Sequence, residues 1–255
     1  MTLHFLQLLP DGAALARFAH GRGLPDHDPG YVLHRALRDA FGPMAPQPFR
    51  LLEAPGRPAR LLGYGSADAA VLCHALALAE PDLDRVFPPE RIDSKPMPAW
   101  LGPGTVLSFE ARLCPLVRTM TTDRRRHREL DAFLHRALAT PDEPLAREVV
   151  YTDWLAQKLA SGADLLAARM TAFTLAPLVR RAHASPNGRT PTRDGPARRL
   201  FSPERRGAAR RPDIVLAGTL RVADPDQFMS LLARGVGRHR AFGYGMLLLR
   251  PTGAR

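Results

Sequence analysis

The sequence DPGYVLHRALRDAFGP, residues 28–43, marks both ends of one amphipathic helix. Asp28 is a preferred N-cap residue, the proline after it fits the first helical turn, and Gly42 followed by proline ends the helix. Apolar residues recur in pairs four positions apart and form one buried stripe: Val32, Leu33, Ala36, Leu37, Ala40 and Phe41. The opposite face carries four polar side chains: Tyr31, His34, Arg35 and Arg38.

Strands are predicted on both sides of this helix. Apolar runs bounded by turn residues indicate strands at residues 3–9, 49–53, 59–64 and 91–97, and apolar periodicity indicates further helices at 13–19 and 67–79. The order is β-α-β-β-α-β with the first crossover split into two helices, which is the pattern of a ferredoxin-like unit. A proline- and glycine-rich stretch follows at residues 98–104, so we predict a first domain over residues 1–98.

The second half repeats this order with an extra helix. Strands are predicted at residues 106–117, 165–179, 214–222 and 246–249, and helices at 124–138, 145–160 and 224–234. We therefore predict a second domain over residues 99–255. The fold class expected is α+β, with two tandem ferredoxin-like (RRM-like) domains.

Composition excludes several classes of protein. Of the 255 residues, 45% are apolar and 24% charged, which suits a chain that buries a core. No apolar run approaches the roughly 20 residues of a membrane span, and the N-terminus lacks the basic region of a signal peptide, so a cytoplasmic protein without a membrane partner is expected. Two cysteines, Cys73 and Cys114, cannot form a disulfide framework or a four-thiolate zinc site. No metal site and no cofactor are expected.

The charge indicates a polyanionic partner. Lys and Arg number 36 against 25 Asp and Glu, a net charge of +11, and only Lys95 and Lys158 are lysines. A GC-rich genome accounts for arginine in place of lysine, but not for the excess. Ten arginines and two acids stand in residues 180–211, a segment that we name the basic tract: Arg180, Arg181, Arg189, Arg193, Arg198, Arg199, Arg205, Arg206, Arg210 and Arg211. Since it has no apolar period, we predict a loop or hairpin, and its positive charge suits the phosphates of a nucleic acid such as RNA.

The sequence GVGRHRAFGYG, residues 235–245, is named the glycine segment. Glycine is used where the backbone needs a positive φ or approaches another group closely. A helix precedes it and a strand follows, the reverse of a dinucleotide fingerprint, and no Lys-Ser/Thr follows as in a P-loop. The segment therefore predicts a basic backbone surface for phosphates; the alternative is a turn that supports the last strand. Its candidate RNA-binding residues are Gly235, Gly237, Arg238, His239, Gly243 and Gly245.

His34 is the best candidate for catalysis. Tyr31 lies three residues before it and Arg38 one turn after it, on the same helix face. A histidine can move a proton near neutral pH and a guanidinium can stabilise developing negative charge, which suits attack on a phosphodiester. The alternative is that His34 is an ordinary solvated histidine. Arg35, on the same helix, is a candidate RNA-binding residue.

Together these features resemble the CasE family, the repeat-RNA endoribonuclease subunit of the type I-E CRISPR Cascade complex. Residues 232–251 look like that family's C-terminal glycine-rich motif, and Tyr31-Val-Leu-His34 is similar to its Tyr-x-x-His. Residues 109–118 resemble the strand that opens its second domain, and residues 154–159 its Trp-Leu-x-x-Lys/Arg-Leu helix. The similarities are spread over nearly the whole chain.

The resemblance implies two tandem ferredoxin-like domains and metal-independent cleavage of precursor CRISPR RNA. It also implies retention of the guide RNA stem-loop and assembly with the other Cascade subunits. His34 matches the family's catalytic histidine. We expect Tyr31 to orient it or the phosphate, and Arg38 and Arg240 to stabilise the transition state. Two alternatives stay open: a non-catalytic RNA-hairpin-binding subunit, and a basic adaptor for another RNA or DNA.

Overall fold

A computed structural model of the chain describes residues 2–24, 28–120, 127–142, 144–177 and 210–252. Its strands form two four-stranded antiparallel sheets and one separate hairpin. Within these ranges, no helix has the length and apolar character that crossing a membrane requires.

The first sheet belongs to the N-terminal half. Its elements are β1 (His4–Leu8), α1 (Gly12–Gly21), α2 (Pro29–Phe41), β2 (Phe49–Ala54), β3 (Arg57–Gly65), α3 (Ala69–Ala77), α4 (Leu83–Val86) and β4 (Ile92–Pro96). The strand order is β2-β3-β1-β4. The helices bury their apolar residues with those of β1, β2 and β3 in one core cluster, as expected for a ferredoxin-like unit.

The second sheet has the same arrangement. Its half contains β5 (Val106–Leu113), β6 (Leu116–Met120), β7 (His127–Asp131), α5 (Ala132–Ala139), α6 (Arg147–Leu159), β8 (Ala163–Pro177), β9 (Arg210–Val222), α7 (Pro225–Arg234) and β10 (Leu247–Pro251). The order β10-β5-β9-β8 places the last strand beside the first, as β4 lies beside β1. The predicted α+β fold with two ferredoxin-like sheets is confirmed.

Capping residues set the bounds of α2 and α7. The Asp28 carboxylate accepts from the Tyr31 backbone N–H at 3.0 Å, and Gly42 ends α2 with a φ of 56°. Asp224 caps α7 in the same way and Gly235 ends it with a φ of 75°. Both helices have the bounds that their capping residues predicted.

Two predictions in the second half are wrong. The strand expected over residues 106–117 ends at Leu113, because Pro115 has no N–H to continue a ladder, and β6 pairs with β7 instead of joining the sheet. The helix expected over residues 124–138 begins only at Ala132. Residues 127–131 form β7, since hydrogen bonds to β6 outweigh their helical propensity. Residues 121–126 lie outside the described ranges.

The predicted loop over the basic tract also needs a correction at its end. Arg210 and Arg211 are the first residues of β9, paired with Pro177 and Ala176 of β8. Arg211 is only 6% exposed, because partners from other elements surround its guanidinium. The rest of the basic tract, residues 180–209, lies outside the described ranges.

The two halves contact each other through buried polar groups. The Tyr64 hydroxyl on β3 donates to the Leu247 carbonyl on β10 at 2.9 Å. Arg50 on β2 forms an ion pair with Glu110 on β5 at 2.6 Å, and only 9% of its side chain is exposed. The first sheet ends at Pro96 and the second begins at Val106; a domain boundary after residue 98 stays a prediction.

Candidate functional site

The polar face of α2 lies against the glycine segment. Phe242 belongs to a short 3-10 turn, Arg240–Phe242. Its ring centroid is 5.0 Å from that of His34, in an edge-to-face arrangement, and 6.2 Å from that of Tyr31, stacked at 16°. The structure therefore brings the two predicted residues together on one aromatic side chain from the other half of the protein.

The backbones of helix and segment also approach closely. A Cβ atom on Gly30 would lie 2.5 Å from the Phe242 carbonyl oxygen. Only glycine leaves room for that approach. Gly30, which precedes Tyr31 in α2, is thus part of the contact that places His34.

The glycine segment holds its shape through positive φ angles. Gly235, Gly237, Gly243 and Gly245 have φ values of 75°, 75°, 85° and 79°. The Val236 N–H donates to the Gly245 carbonyl at 2.8 Å, and the Gly245 N–H donates to the Arg112 carbonyl on β5 at 2.8 Å. The segment is therefore closed on itself and anchored to the second sheet.

His34 is half-buried, and its surroundings favour the neutral imidazole. Burial lowers its pKa from 6.5, Arg38 and Arg35 lower it further, and Asp39 raises it. Because a neutral imidazole has a free lone pair, His34 is able to accept a proton at neutral pH.

An open cleft of about 1200 Å³ lies between the two halves. His34 and Arg38 line it from α2, Asp226 and Ser230 from α7, and Ala241 from the glycine segment. The cleft exceeds the volume of about 300–1,000 Å³ that is usual for small-ligand pockets. Its size suits a polymer segment better than a small metabolite.

Arg240 and Tyr31 do not line this cleft. One Nη of Arg240 donates to the Arg234 carbonyl at the end of α7, at 2.5 Å. Of the four predicted catalytic residues, the structure therefore brings His34 and Arg38 to the cleft, and it stacks Tyr31 on Phe242, which His34 also contacts. Arg240 is hydrogen-bonded to the end of α7 instead.

The basic side chains of the glycine segment have protein partners. Arg238 Nε is 3.0 Å from Glu129 on β7, and Arg211 donates to His239 Nδ1 at 3.0 Å. Burial and the Arg211 charge lower the pKa of His239 to about 4. His239 is therefore uncharged at neutral pH, and Arg238 is neutralised in part by Glu129.

The other predicted RNA-binding arginines lie apart from the cleft or outside the described ranges. Arg35 is exposed on α2 and donates to Asp39 at 3.0 Å. The six predicted contacts Arg180, Arg181, Arg189, Arg193, Arg198 and Arg199 lie outside the described ranges. Among the described residues, no group of three His, Cys, Asp or Glu side chains could hold a metal ion.

Sequence reasoning did not single out Phe242, Ser230 or Glu129. The signal that could have identified Phe242 is its position in the glycine segment, directly before Gly243. An aromatic ring there is expected to pack against another part of the protein. Ser230 has no comparable signal, because the cleft that it lines forms only where the two halves meet. Glu129 has none either, because only the folding of the second half brings β7 to the glycine segment.

Comparisons with known proteins give the family and the fold of this chain. A family model described as CRISPR associated protein matches residues 4–251. No curated protein matches the chain.

Solved structures share the fold over nearly the whole chain. Thermus thermophilus Cse3, bound to an RNA representing a pre-cleavage complex, is 20% identical over 98% of this chain and 100% of its own, with a TM-score of 0.60. The CRISPR endoribonuclease Cse3 bound to 19 nt RNA is 21% identical with the same coverage and a TM-score of 0.63. A chain of a CRISPR RNA-guided surveillance complex is 15% identical over 97% of this chain and 99% of its own, with a TM-score of 0.52.

Proposed function

Since this chain belongs to the CRISPR associated protein family, whose model matches residues 4–251, we propose that it is a metal-independent endoribonuclease that cleaves precursor CRISPR RNA beside the repeat hairpin. The observation that carries the proposal is the position of His34. It is half-buried, has a lowered pKa, and lines the cleft together with the exposed cation Arg38.

RNA supplies its own nucleophile, so the reaction needs no metal-bound water. His34 accepts the proton of the 2′-hydroxyl, whose oxygen forms a bond to the adjacent phosphorus while the bond to the 5′-oxygen breaks. The departing 5′-oxygen takes a proton from water, and His34 later returns its proton to the solvent. Arg38 stabilises the negative charge on the phosphate oxygens, and Tyr31 orients His34 through the shared contact with Phe242. Arg240 contributes to this charge stabilisation only after its hydrogen bond to the Arg234 carbonyl breaks. The products are a 2′,3′-cyclic phosphate and a 5′-hydroxyl.

The same proposal covers the partners. Similar chains are bound to RNA and belong to an RNA-guided surveillance complex, and the net charge of +11 suits a phosphate-rich partner. The protein is proposed to keep the guide RNA stem-loop after cleavage and to assemble with the other Cascade subunits. Its work would then take place in the cytoplasm.

The test is cleavage of a repeat RNA under single-turnover conditions. Cleavage is expected to persist in EDTA and to disappear when the scissile nucleotide is 2′-deoxy. His34→Ala is expected to lower the rate by about 10²–10⁴-fold, the usual contribution of a general acid or base. The control is His74→Ala, which removes an exposed histidine from α3.

Loss of activity in EDTA, or cleavage of the deoxy substrate, would contradict the proposed mechanism. One observation favours a second candidate, a non-catalytic subunit that binds the RNA hairpin: Arg240 donates to the Arg234 carbonyl and does not line the cleft with His34. Hairpin binding without cleavage, unchanged in His34→Ala, would establish that candidate.

A further inference from the structure

We propose that Arg211 is a positioning residue for the reaction: it holds the N-terminus of α2 and the glycine segment together, and so fixes His34 against Phe242. The expected effect of Arg211 on the cleavage rate rests on the proposed function. The contact geometry itself is independent of the activity.

Arg211 is a buried charge with partners from two other elements. A buried guanidinium is costly unless charged or hydrogen-bonding groups surround it. One Nη lies 3.8 Å from the Asp28 carboxylate, the cap of α2. The other donates to His239 Nδ1 at 3.0 Å, and Cζ lies 5.4 Å from the centre of the Tyr244 ring. From β9, Arg211 therefore reaches both α2 and the glycine segment.

The bond to His239 also determines the tautomer of that histidine. An arginine only donates, so Nδ1 of His239 is the acceptor and its Nε2 carries the hydrogen. Nε2 lies 3.8 Å from the Glu129 carboxylate, which also pairs with Arg238. At 3.8 Å Nε2 makes no hydrogen bond to that carboxylate, so the bond from Arg211 is the polar contact that holds the His239 ring.

His239 is coupled in turn to the turn that carries Phe242. It has a left-handed backbone, with a φ of 59°, and its carbonyl accepts from the Phe242 N–H at 2.8 Å. Phe242 contacts the His34 ring and passes close to Gly30. Arg211 therefore holds both sides of the His34–Phe242 contact.

Asp28 provides the link on the helix side. One carboxylate oxygen caps α2 at Tyr31, and the other faces Arg211. Because the cap is one helical turn before Tyr31 and fewer than two turns before His34, a shift at Asp28 moves both side chains relative to Phe242.

Arg211→Met removes the charge and keeps the length of the side chain. Its single-turnover rate at saturating protein is expected to fall by about 10–100-fold, since a misplacement of about 1 Å can cost 10²-fold. Arg211→Lys, which keeps the charge, should recover part of the rate. The control is Arg221→Met, an exposed arginine near the other end of β9.

A double variant separates positioning from direct catalysis. If Arg211 acts through His34, Arg211→Met should add no further loss to His34→Ala. If the rate losses of the two single variants multiply in the double variant, the proposal is overturned.

A second readout does not depend on cleavage. The His34 ring lies edge-to-face with Phe242, so its NMR proton shift reports their contact. Arg211→Met and Asp28→Asn, which keeps a capping oxygen but loses the charge, should move that resonance toward its position in Phe242→Leu. If Arg211→Met does not fold, the His34 resonance in Asp28→Asn provides the test. An unmoved His34 resonance in a folded variant would overturn the proposal, whereas absence of cleavage by the wild type would overturn only the proposed function.

Discussion

The neighbours of His34 act on its pKa in opposite directions. Burial of the ring, Arg38 and Arg35 lower it, and Asp39 raises it. Cations oppose protonation of the imidazole, and a carboxylate favours it. The balance favours the neutral ring, the form that the proposed mechanism requires.

Substitution of these neighbours should move the pKa of His34 with predictable sign. Arg38→Gln removes a cation and should raise the pKa; Asp39→Asn removes an anion and should lower it. NMR titration of the His34 ring measures both, and the exposed His74 ring provides the internal control. Shifts of the same sign in the two variants would contradict this electrostatic account.

At the scale of the element, the glycine segment is built by backbone contacts rather than by side chains. A Cβ on Gly245 would lie 2.2 Å from the Val236 carbonyl oxygen, closer than any real contact. The two ends of the segment therefore meet at a distance that only glycine permits.

Gly245→Ala should destabilise the protein more than Gly104→Ala. Both positions have a positive φ, 79° and 83°, so both substitutions carry the left-handed penalty of about 1–2 kcal/mol. A Cβ on Gly104 meets nothing within 4 Å, whereas Gly245→Ala adds the clash with Val236. Urea unfolding gives the two free energies, and equal losses would contradict the role assigned to the close approach.

At the scale of the whole molecule, the two halves share a buried hydrogen bond from Tyr64 to the Leu247 carbonyl. Tyr64→Phe leaves that carbonyl without its donor and should lower the free energy of unfolding by about 1–3 kcal/mol. Because the bond joins the halves, we expect one calorimetric transition in wild type and variant. Two transitions, with only one shifted, would show that the halves unfold separately.

The net charge of the molecule should appear in the salt dependence of RNA binding. Each phosphate contact contributes about −0.9 to the slope of log K against log salt on duplex DNA and less on single strands. Replacing Arg189, Arg193, Arg198 and Arg199 by Ala should weaken hairpin binding and flatten that slope, while the single-turnover rate at saturating protein stays near wild type.

The matched control removes the same charge from exposed arginines of the first half: Arg57, Arg60, Arg85 and Arg91. It should change the slope less. An unchanged slope in the first variant would mean that the basic tract does not touch the RNA.

Where the structure depends on near neighbours, it was predictable from the sequence. The capping carboxylates Asp28 and Asp224 and the glycines that follow α2 and α7 gave those helices their bounds, because a cap involves only residues within one turn. Alternating apolar runs similarly indicated the strands of both sheets. Tyr31 and His34 share a face because helical geometry alone places them there.

Only the tertiary structure decided what depends on distant partners. Residues 127–131 form a strand because β6 offers them a ladder, and Arg211 is buried because Asp28 and His239 meet it from other elements. The sequence by itself thus determined the strands of the two sheets, their order along the chain and the candidate histidine. The packing of the two halves determined the cleft and the contact of His34 with Phe242, since residues far apart in the chain interact only after the sheets have formed and docked.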